Sequence, residues 1–328
     1  MNKNLPTIRQ NADTILSKTK SLMGIGNKIL AKKSELSQND DSWMERLWEW
    51  ADENDIPDLE WIEADDSGYW SGLPRDKNKL LLLTELRLDH NQLSDLSNEI
   101  GNLTNLKVLD VGANNLSKLP DEVGKLTHLT HLDASENELT ELSPEIGSLT
   151  NLIKLDVWGN QLSEIPQEIG NLTNLIELNI YENQIVKIPK QIGNLTNLTS
   201  LIALSNQLTE LPKEIGNLIN LIDLSVSENG LSELPSEIGN LTSLTELDVS
   251  KNELTELPPE IGNLTNLIRL FIWDNYLTEL PLEIANLTHL TVLSAWDNCL
   301  TEAPGELEAN GTYVVLDKDE WIKESKDY

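Results

Sequence analysis

Apolar positions from Leu83 onward recur with a period of 23 residues. The repeating unit reads L-x-x-L-x-(V/I/A/L)-x-x-N-x-L-(S/T)-x-L-P-x-E-I-G-N-L-T-N, and ten units follow one another without an insertion. Apolar residues at unit positions 1, 4 and 6 predict a short strand with one inward face. Further apolar anchors at positions 11, 14, 18 and 21 predict a return segment. One unit cannot bury these residues alone, so the pattern predicts stacked units that share a continuous core.

Three other positions of the unit indicate how the backbone runs. An asparagine at position 9 is suited to a buried ladder, because its amide both donates to and accepts from the backbone. Proline at position 15 favours an extended return without ladder bonding. Glycine at position 19 favours a turn. The asparagines are Asn91, Asn114, Asn137, Asn160, Asn183, Asn206, Asn229, Asn252, Asn275 and Asn298.

These residues resemble the leucine-rich repeat family over residues 83–312. The LxxLPxEIGNLxxL half is similar to the 23-residue class of Ras-group and scaffold-type proteins and of bacterial relatives. The resemblance implies an α/β solenoid, a horseshoe of ten units with a parallel concave β-sheet. A helical N-terminal cap and a short C-terminal cap are expected to close its ends.

The segments outside the repeats differ from them in composition. Residues 39–82 are acidic and rich in tryptophan, with Trp43, Leu47 and Trp50 on one helical face, which favours a helical cap. A separate Trp-lined ligand site is the alternative for this segment. Residues 313–328 are expected to cover the other end with a last strand and a short helix, through Val314, Leu316, Trp321 and Ile322.

The N-terminal segment, residues 1–38, is an electrostatic exception. Its first 35 residues carry seven Lys/Arg and two Asp/Glu, a local charge of +5. The interpretations are a mobile tail, a tail docked on its own acidic domain, a membrane- or partner-binding helix, or a delivery signal. The N-terminal residues lack a continuous apolar segment, so we expect no signal peptide, and no stretch approaches the length of a membrane span; both points favour a cytoplasmic protein. A single cysteine fits a reducing compartment.

The whole chain has a formal net charge of −31. Such a surface repels nucleic acid and anionic membranes, so membrane contact is expected only through residues 1–35, and it attracts basic proteins. The oligomeric state is left open.

Residues with catalytic or metal-binding potential do not form a recognisable constellation. The glycines of GIGNK lack the spacing of a phosphate loop. His90, His128, His131 and His289 are scattered and are expected to be exposed, while Cys299 is expected to be a buried or half-buried inert thiol. We therefore expect no catalytic residue, no cofactor and no metal, and a protein that is not an enzyme.

Large apolar residues occupy strand positions that should face solvent on the concave side. Positions 5 and 7 form two patches in the stacked units, the first of Trp158, Tyr181, Ile202 and Leu204 and the second of Phe271, Trp273 and Trp296. Contiguous exposed aromatics indicate an interaction site. The alternative is that the rings only stack on each other and stabilise the sheet.

Carboxylates run beside these patches in two columns. Position 5 contributes Asp110, Asp133 and Asp156; position 8 contributes Glu136, Glu182, Glu228, Asp274 and Asp297. Nothing in the predicted fold requires them, so a Lys/Arg-rich partner that relieves their repulsion is expected. A bound cation and simple solubility are the alternatives.

The leading hypothesis is a non-enzymatic module that binds a basic protein or peptide on an acidic, aromatic-bearing concave sheet. Its expected partner-binding residues are Trp158, Tyr181, Ile202, Leu204, Phe271, Trp273, Trp296, Asp110, Asp133, Asp156, Glu182 and Asp274. The resemblance also implies a regulatory scaffold for a small GTPase or phosphatase. A third hypothesis is a bacterial effector or membrane-associated factor targeted by its basic N-terminus.

Overall fold

A computed structural model describes residues 41–62 and 69–317 of the chain. The described residues from Arg46 onward belong to one compact unit. The predicted roles of the basic segment 1–38 and of Trp321 and Ile322 lie outside the described residues.

The tryptophan-rich segment contains the predicted helix, α1, at Ser42–Glu53. Its residues Leu47 and Ala51 are fully buried. Arg46 pairs with Glu99 at 2.5 Å, and Glu99 belongs to the first repeat unit. This side of the helix is therefore tied to the array, as a cap requires.

Two elements between α1 and the repeats were not predicted. Strands β1 (Glu60–Ile62) and β2 (Tyr69–Ser71) form an antiparallel pair. A short helix, α2 (Lys77–Leu81), follows, and the Asp76 side chain caps it by accepting from Lys79 N.

The ten repeat strands and one further strand form a single parallel sheet. Consecutive strands pair in phase, so that Leu86 lies opposite Leu109 and Leu109 opposite Leu132. These leucines are almost completely buried, which confirms the shared core. The strands β3–β13 are Glu85–Arg87, Val108–Asp110, His131–Asp133, Lys154–Asp156, Glu177–Asn179, Ser200–Ile202, Asp223–Ser225, Glu246–Asp248, Arg269–Phe271, Val292–Ser294 and Tyr313–Val315.

The return segments contain 3-10 turns directly after unit position 15. Where that position is proline, the residue is extended, as at Pro212 with φ −66° and ψ 140°, and the turn begins at the next residue. The last unit has an α-helix instead, α3 (Gly305–Ala309), which precedes β13. The 3-10 turns are Asn98–Asn102, Asp121–Lys125, Pro144–Ser148, Gln167–Asn171, Lys190–Asn194, Lys213–Asn217, Ser236–Asn240, Pro259–Asn263 and Leu282–Asn286.

The asparagine ladder at position 9 is confirmed. The side-chain oxygen of Asn183, Oδ1, accepts from Leu162 N at 3.0 Å in the preceding unit. The side-chain nitrogen, Nδ2, donates to Val157 O at 3.0 Å. Asn183 is only 8% exposed, so its polar atoms need these partners.

A second ladder at position 23 was not foreseen. Here the Asn174 amide donates to the carbonyl of Thr150 at 2.8 Å, one unit earlier. His128 replaces asparagine in this column, and its Nδ1 lies 3.0 Å from the Thr104 carbonyl. Because a carbonyl oxygen only accepts, Nδ1 is the donor, and the histidine has a structural role.

The glycine at position 19 lies within the 3-10 turn, as predicted, and it also serves close packing between units, which was not predicted. A Cβ built on Gly216 would lie 2.5 Å from the carbonyl oxygen of Glu237 in the next unit. Ala285 occupies this position in the last 3-10 turn, where the following unit has α3 in place of a 3-10 turn.

Among the described residues, no helix combines the length and the apolar character needed to cross a bilayer.

Gly216→Ala is expected to lower the stability of the protein by about 1–3 kcal/mol, because the added methyl group overpacks the contact with Glu237. The midpoint of chemical denaturation would measure this loss. Gly305→Ala is the control, since a Cβ there meets nothing within 4 Å. Equal midpoints for Gly216→Ala and Gly305→Ala would contradict the packing role.

Candidate interaction surface

The in-phase register builds the predicted columns on one face of the sheet. Asp110 lies opposite Asp133, and Asp133 opposite Asp156. With strands about 4.8 Å apart, the three carboxylates are immediate neighbours. The same register places Trp158 beside Tyr181, two residues after the position-5 column.

These aspartates also have a hydrogen-bonding role in the fold, which was not predicted, although this role does not depend on their charge. Asp133 Oδ1 accepts from Ser135 N at 3.0 Å and from Ser135 Oγ at 2.6 Å. In the next unit but one, Asn179 accepts from Tyr181 N at 3.2 Å in the same way. The position-5 side chain thus satisfies the N–H at the end of its own strand. An amide does this as well as a carboxylate, so the bond does not require the charge.

Repulsion within the aspartate column is only partly relieved by cations. Burial and the neighbouring carboxylate of Asp133 raise the pKa of both Asp110 and Asp156. Arg87 lies 3.4 Å from Asp110 at one end, and Lys154 lies 3.9 Å from Asp156 at the other. Asp133 stands between them without a salt bridge in the described part of the chain. A groove of 280 Å³ opens over this column and includes His131 in its lining.

The first aromatic patch borders the aspartate column. The rings of Trp158 and Tyr181 stack at a centroid distance of 5.8 Å and an interplanar angle of 18°. Both side chains are half-exposed, as are Ile202 and Leu204. The rings therefore stabilise each other, as the alternative interpretation held, and still present apolar surface to solvent.

The second aromatic patch differs from the prediction. Trp296 is only 7% exposed, so its expected exposure to solvent is wrong. Its ring lies against Trp273 at 4.4 Å and 12°, and strand β13 borders the same unit on the other side. Phe271 and Trp273 are half-exposed.

A lysine of the chain itself occupies the second patch. Lys251 Nζ lies 5.2 Å from the Trp273 ring centroid, a cation–π contact, and also pairs with Glu228. This pairing, together with the Ser205 hydroxyl, lowers the pKa of Glu228. The second patch thus already holds the kind of cation that was expected from a partner.

Position 8 has a left-handed backbone in every unit, with φ between 48° and 65°. Its side chains project at the edge of the sheet, where Glu182 and Asp274 are exposed. Glu182 raises the pKa of the Tyr181 phenol by its charge, so it lies within reach of the first patch.

The charged partners of the columns were not predicted. Arg87 begins the position-5 column, and Lys154 is two residues before Asp156, on the same face of the same strand. Lys251 occupies the position-8 column. The unit numbering gives the positions of these three basic residues, but an interpretation limited to acidic and aromatic residues does not consider them.

Residues with other chemistry do not converge on this face. The four histidines are exposed, as predicted. Cys299 is exposed too, so the prediction of a buried or half-buried thiol is wrong. It occupies position 10, which points outward because the next residue, Leu300, points toward the core. In the described part of the chain, no three His, Cys, Asp or Glu side chains are grouped to hold a metal ion.

Similarity to solved structures extends over most of the repeats. A leucine-rich repeat protein of Leptospira interrogans is 33% identical, with a TM-score of 0.52, over 71% of this chain and 72% of that one. The plant peptide hormone receptor RGFR1, in complex with RGF2, is 32% identical with a TM-score of 0.60, over 72% of this chain but 43% of the receptor. YopM, a leucine-rich effector protein of Yersinia pestis, is 30% identical with a TM-score of 0.60, over 70% and 59%.

The family model described as a leucine-rich repeat region matches residues 75–159, 121–227 and 206–308. Among proteins with curated descriptions, none matches the chain. The family match covers strands β3–β12, the asparagine ladder and the 3-10 returns. The chain belongs to the leucine-rich repeat proteins.

Proposed function

We propose that this protein is a non-enzymatic binding module that holds a Lys- or Arg-bearing segment of a protein or peptide on strands β4–β8. One observation carries the proposal: three adjacent aspartates lie in register beside a stacked, half-exposed Trp–Tyr pair. Leucine-rich repeats are interaction modules, and RGFR1, a similar protein, is a peptide hormone receptor.

Charge supports a basic partner. Asp110 and Asp156 have raised pKa values from burial and from Asp133, so their ionised forms are disfavoured in the free protein. A cation placed over Asp133 would stabilise all three carboxylates. The net charge of −31 would also steer a basic partner toward the protein and repel nucleic acid.

The adjoining aromatics would supply the apolar part of the contact. Trp158 and Tyr181 present ring surface next to Ile202 and Leu204. Aromatic anchors of this kind each contribute on the order of 2 kcal/mol or more when a partner buries them. Phe271, Trp273 and Asp274 are secondary in the proposal, because Lys251 already covers the Trp273 ring.

Two finer parts of the sequence analysis stay predictions. The cytoplasmic location is one of them. The targeting role of the basic N-terminus is the other, and it concerns residues outside the described ones. The similarity to YopM, an effector protein, is a reason to test the effector hypothesis. No contact in the described residues favours the GTPase or phosphatase scaffold.

Asp156→Asn is expected to stabilise the protein near neutral pH. The folded-state pKa of Asp156 lies above the ordinary value of 3.8, so the folded protein binds this proton more tightly than the unfolded chain does. The ionised aspartate therefore costs stability above its raised pKa, and this cost disappears as the pH falls through it. Asparagine keeps the bond to the strand end, as Asn179 does in the same column.

Thermal unfolding of Asp156→Asn and of the wild type, followed from pH 7 to about pH 4, would measure this difference. The advantage of the variant should be largest at neutral pH and shrink on acidification. Glu233→Gln removes an exposed charge away from the column and serves as control. A variant no more stable than the wild type at pH 7, or an equal gain in Glu233→Gln, would contradict a pKa of Asp156 that burial and the neighbouring Asp133 raise.

Binding is tested with a phage-displayed random peptide library selected on the immobilised full-length chain. Selected peptides are expected to carry Lys or Arg, and their binding, measured by calorimetry, should weaken as salt is added. Asp133→Asn should weaken binding by about tenfold through loss of charge pairing. Trp158→Ala should weaken it by a similar factor or more.

Glu233→Gln is again the matched control, because it changes the net charge by the same amount as Asp133→Asn. Peptides without basic residues would count against the proposal. So would basic peptides that bind Asp133→Asn and Trp158→Ala as tightly as the wild type.

A further inference from the structure

We infer that this protein associates with a second copy of itself through the edge of the solenoid that leads into the strands. This edge, here named the amide flank, consists of the exposed residues at unit positions 20, 22, 23 and 2. It is separate from the columns at positions 5, 7 and 8, so the inference does not rest on the proposed function.

The amide flank is free of carboxylates. No Asp or Glu occurs at positions 20–23, 1 or 2 of any of the ten units, although the whole chain contains 55 acidic residues. The charged residues at these positions are Lys107 and Lys125. Because each copy has a net charge of −31, two copies repel each other across their acidic surfaces. They repel least when the amide flanks face each other.

The amide flank also exposes large apolar side chains. Ile176 is 38% exposed, Ile222 47%, Ile268 40% and Ile219 54%. Ile176, Ile222 and Ile268 occupy position 2 in alternate units, with Thr199 and Thr245 between them. Exposed isoleucines that recur along one edge of an otherwise charged protein favour an interaction surface.

Several polar groups of the amide flank already have partners inside the chain. Thr199 Oγ1 donates to Ile176 O at 3.2 Å, and Thr245 Oγ1 donates to Ile222 O at 3.2 Å. The Asn174 amide donates to the Thr150 carbonyl. At these groups, the internal bonds lower the desolvation cost of association.

The shape of the amide flank suits a two-fold contact. A groove of 610 Å³ runs along it beside Ile153 and Ile176, from unit 2 to unit 5. The exposed isoleucines continue the surface through unit 9. In a two-fold dimer, the row of isoleucines of one copy lies against the same flank of the other, so each residue contributes twice.

The test is sedimentation velocity of the full-length chain over two decades of concentration, at low and at high sodium chloride. A reversible monomer–dimer equilibrium is expected. It should strengthen with salt, since screening reduces the residual repulsion and leaves the apolar contact intact. A monomer under all these conditions would overturn the inference.

The double variant Ile176→Thr with Ile222→Thr locates the contact. Threonine occupies the same column in neighbouring units, so the fold should tolerate both changes. The dissociation constant of the dimer should rise about tenfold or more, because each substitution acts on both copies. Circular dichroism and thermal unfolding would check the fold.

A matched control is Val186→Thr with Leu282→Thr, which replaces two other exposed apolar residues outside the amide flank, 49% and 80% exposed. This pair should dimerise like the wild type. Dimerisation that survives the isoleucine changes, or that the control pair weakens equally, would overturn the assignment to the amide flank.

Discussion

The structure depends on one constraint: no repeat unit can bury its own apolar residues or satisfy its own polar backbone. Leu178 is buried only because the leucines opposite it, Leu155 and Leu201, belong to the neighbouring units. The Asn183 side chain bonds to Val157 and Leu162 in the preceding unit, in addition to carbonyl groups of its own unit. Hydrophobic contact and hydrogen bonding therefore impose the same register, and this register then fixes every column on the surface.

Much of the fold could be predicted because the inward side chains recur at a fixed interval. The parallel sheet and the position-9 ladder follow from residues that repeat almost unchanged. The role of Gly216 could not be predicted in the same way, since its reason is the distance to the backbone of Glu237 in another unit. The same holds for the asparagines at position 23, whose partners lie 24 residues earlier in the chain.

The order of the residues on the candidate surface could be predicted from the sequence. Their burial and their contacts could be predicted less well. Unit numbering placed Asp133 between Asp110 and Asp156, and Trp158 beside Tyr181. It did not give the burial of Trp296, which depends on stacking against Trp273. Nor did it give the contact of Lys251 with that ring, because a long side chain crosses from one unit to the next. The structure differs from the sequence-based predictions where outward side chains interact across units, and it agrees with them where side chains point into the core.

The uninterrupted register has a consequence for how such a protein changes over generations. Since every unit joins its neighbours through the same leucines, asparagine and glycine, loss or gain of a whole 23-residue block rejoins equivalent surfaces and leaves the core continuous. What changes is the order of the outward residues. Removing residues 175–197, for example, would bring Trp158 next to Leu204 and Asp156 next to Ile202. Recombination between units can thus produce new arrangements of surface residues on the same scaffold. No intermediate sequence that fails to fold is needed.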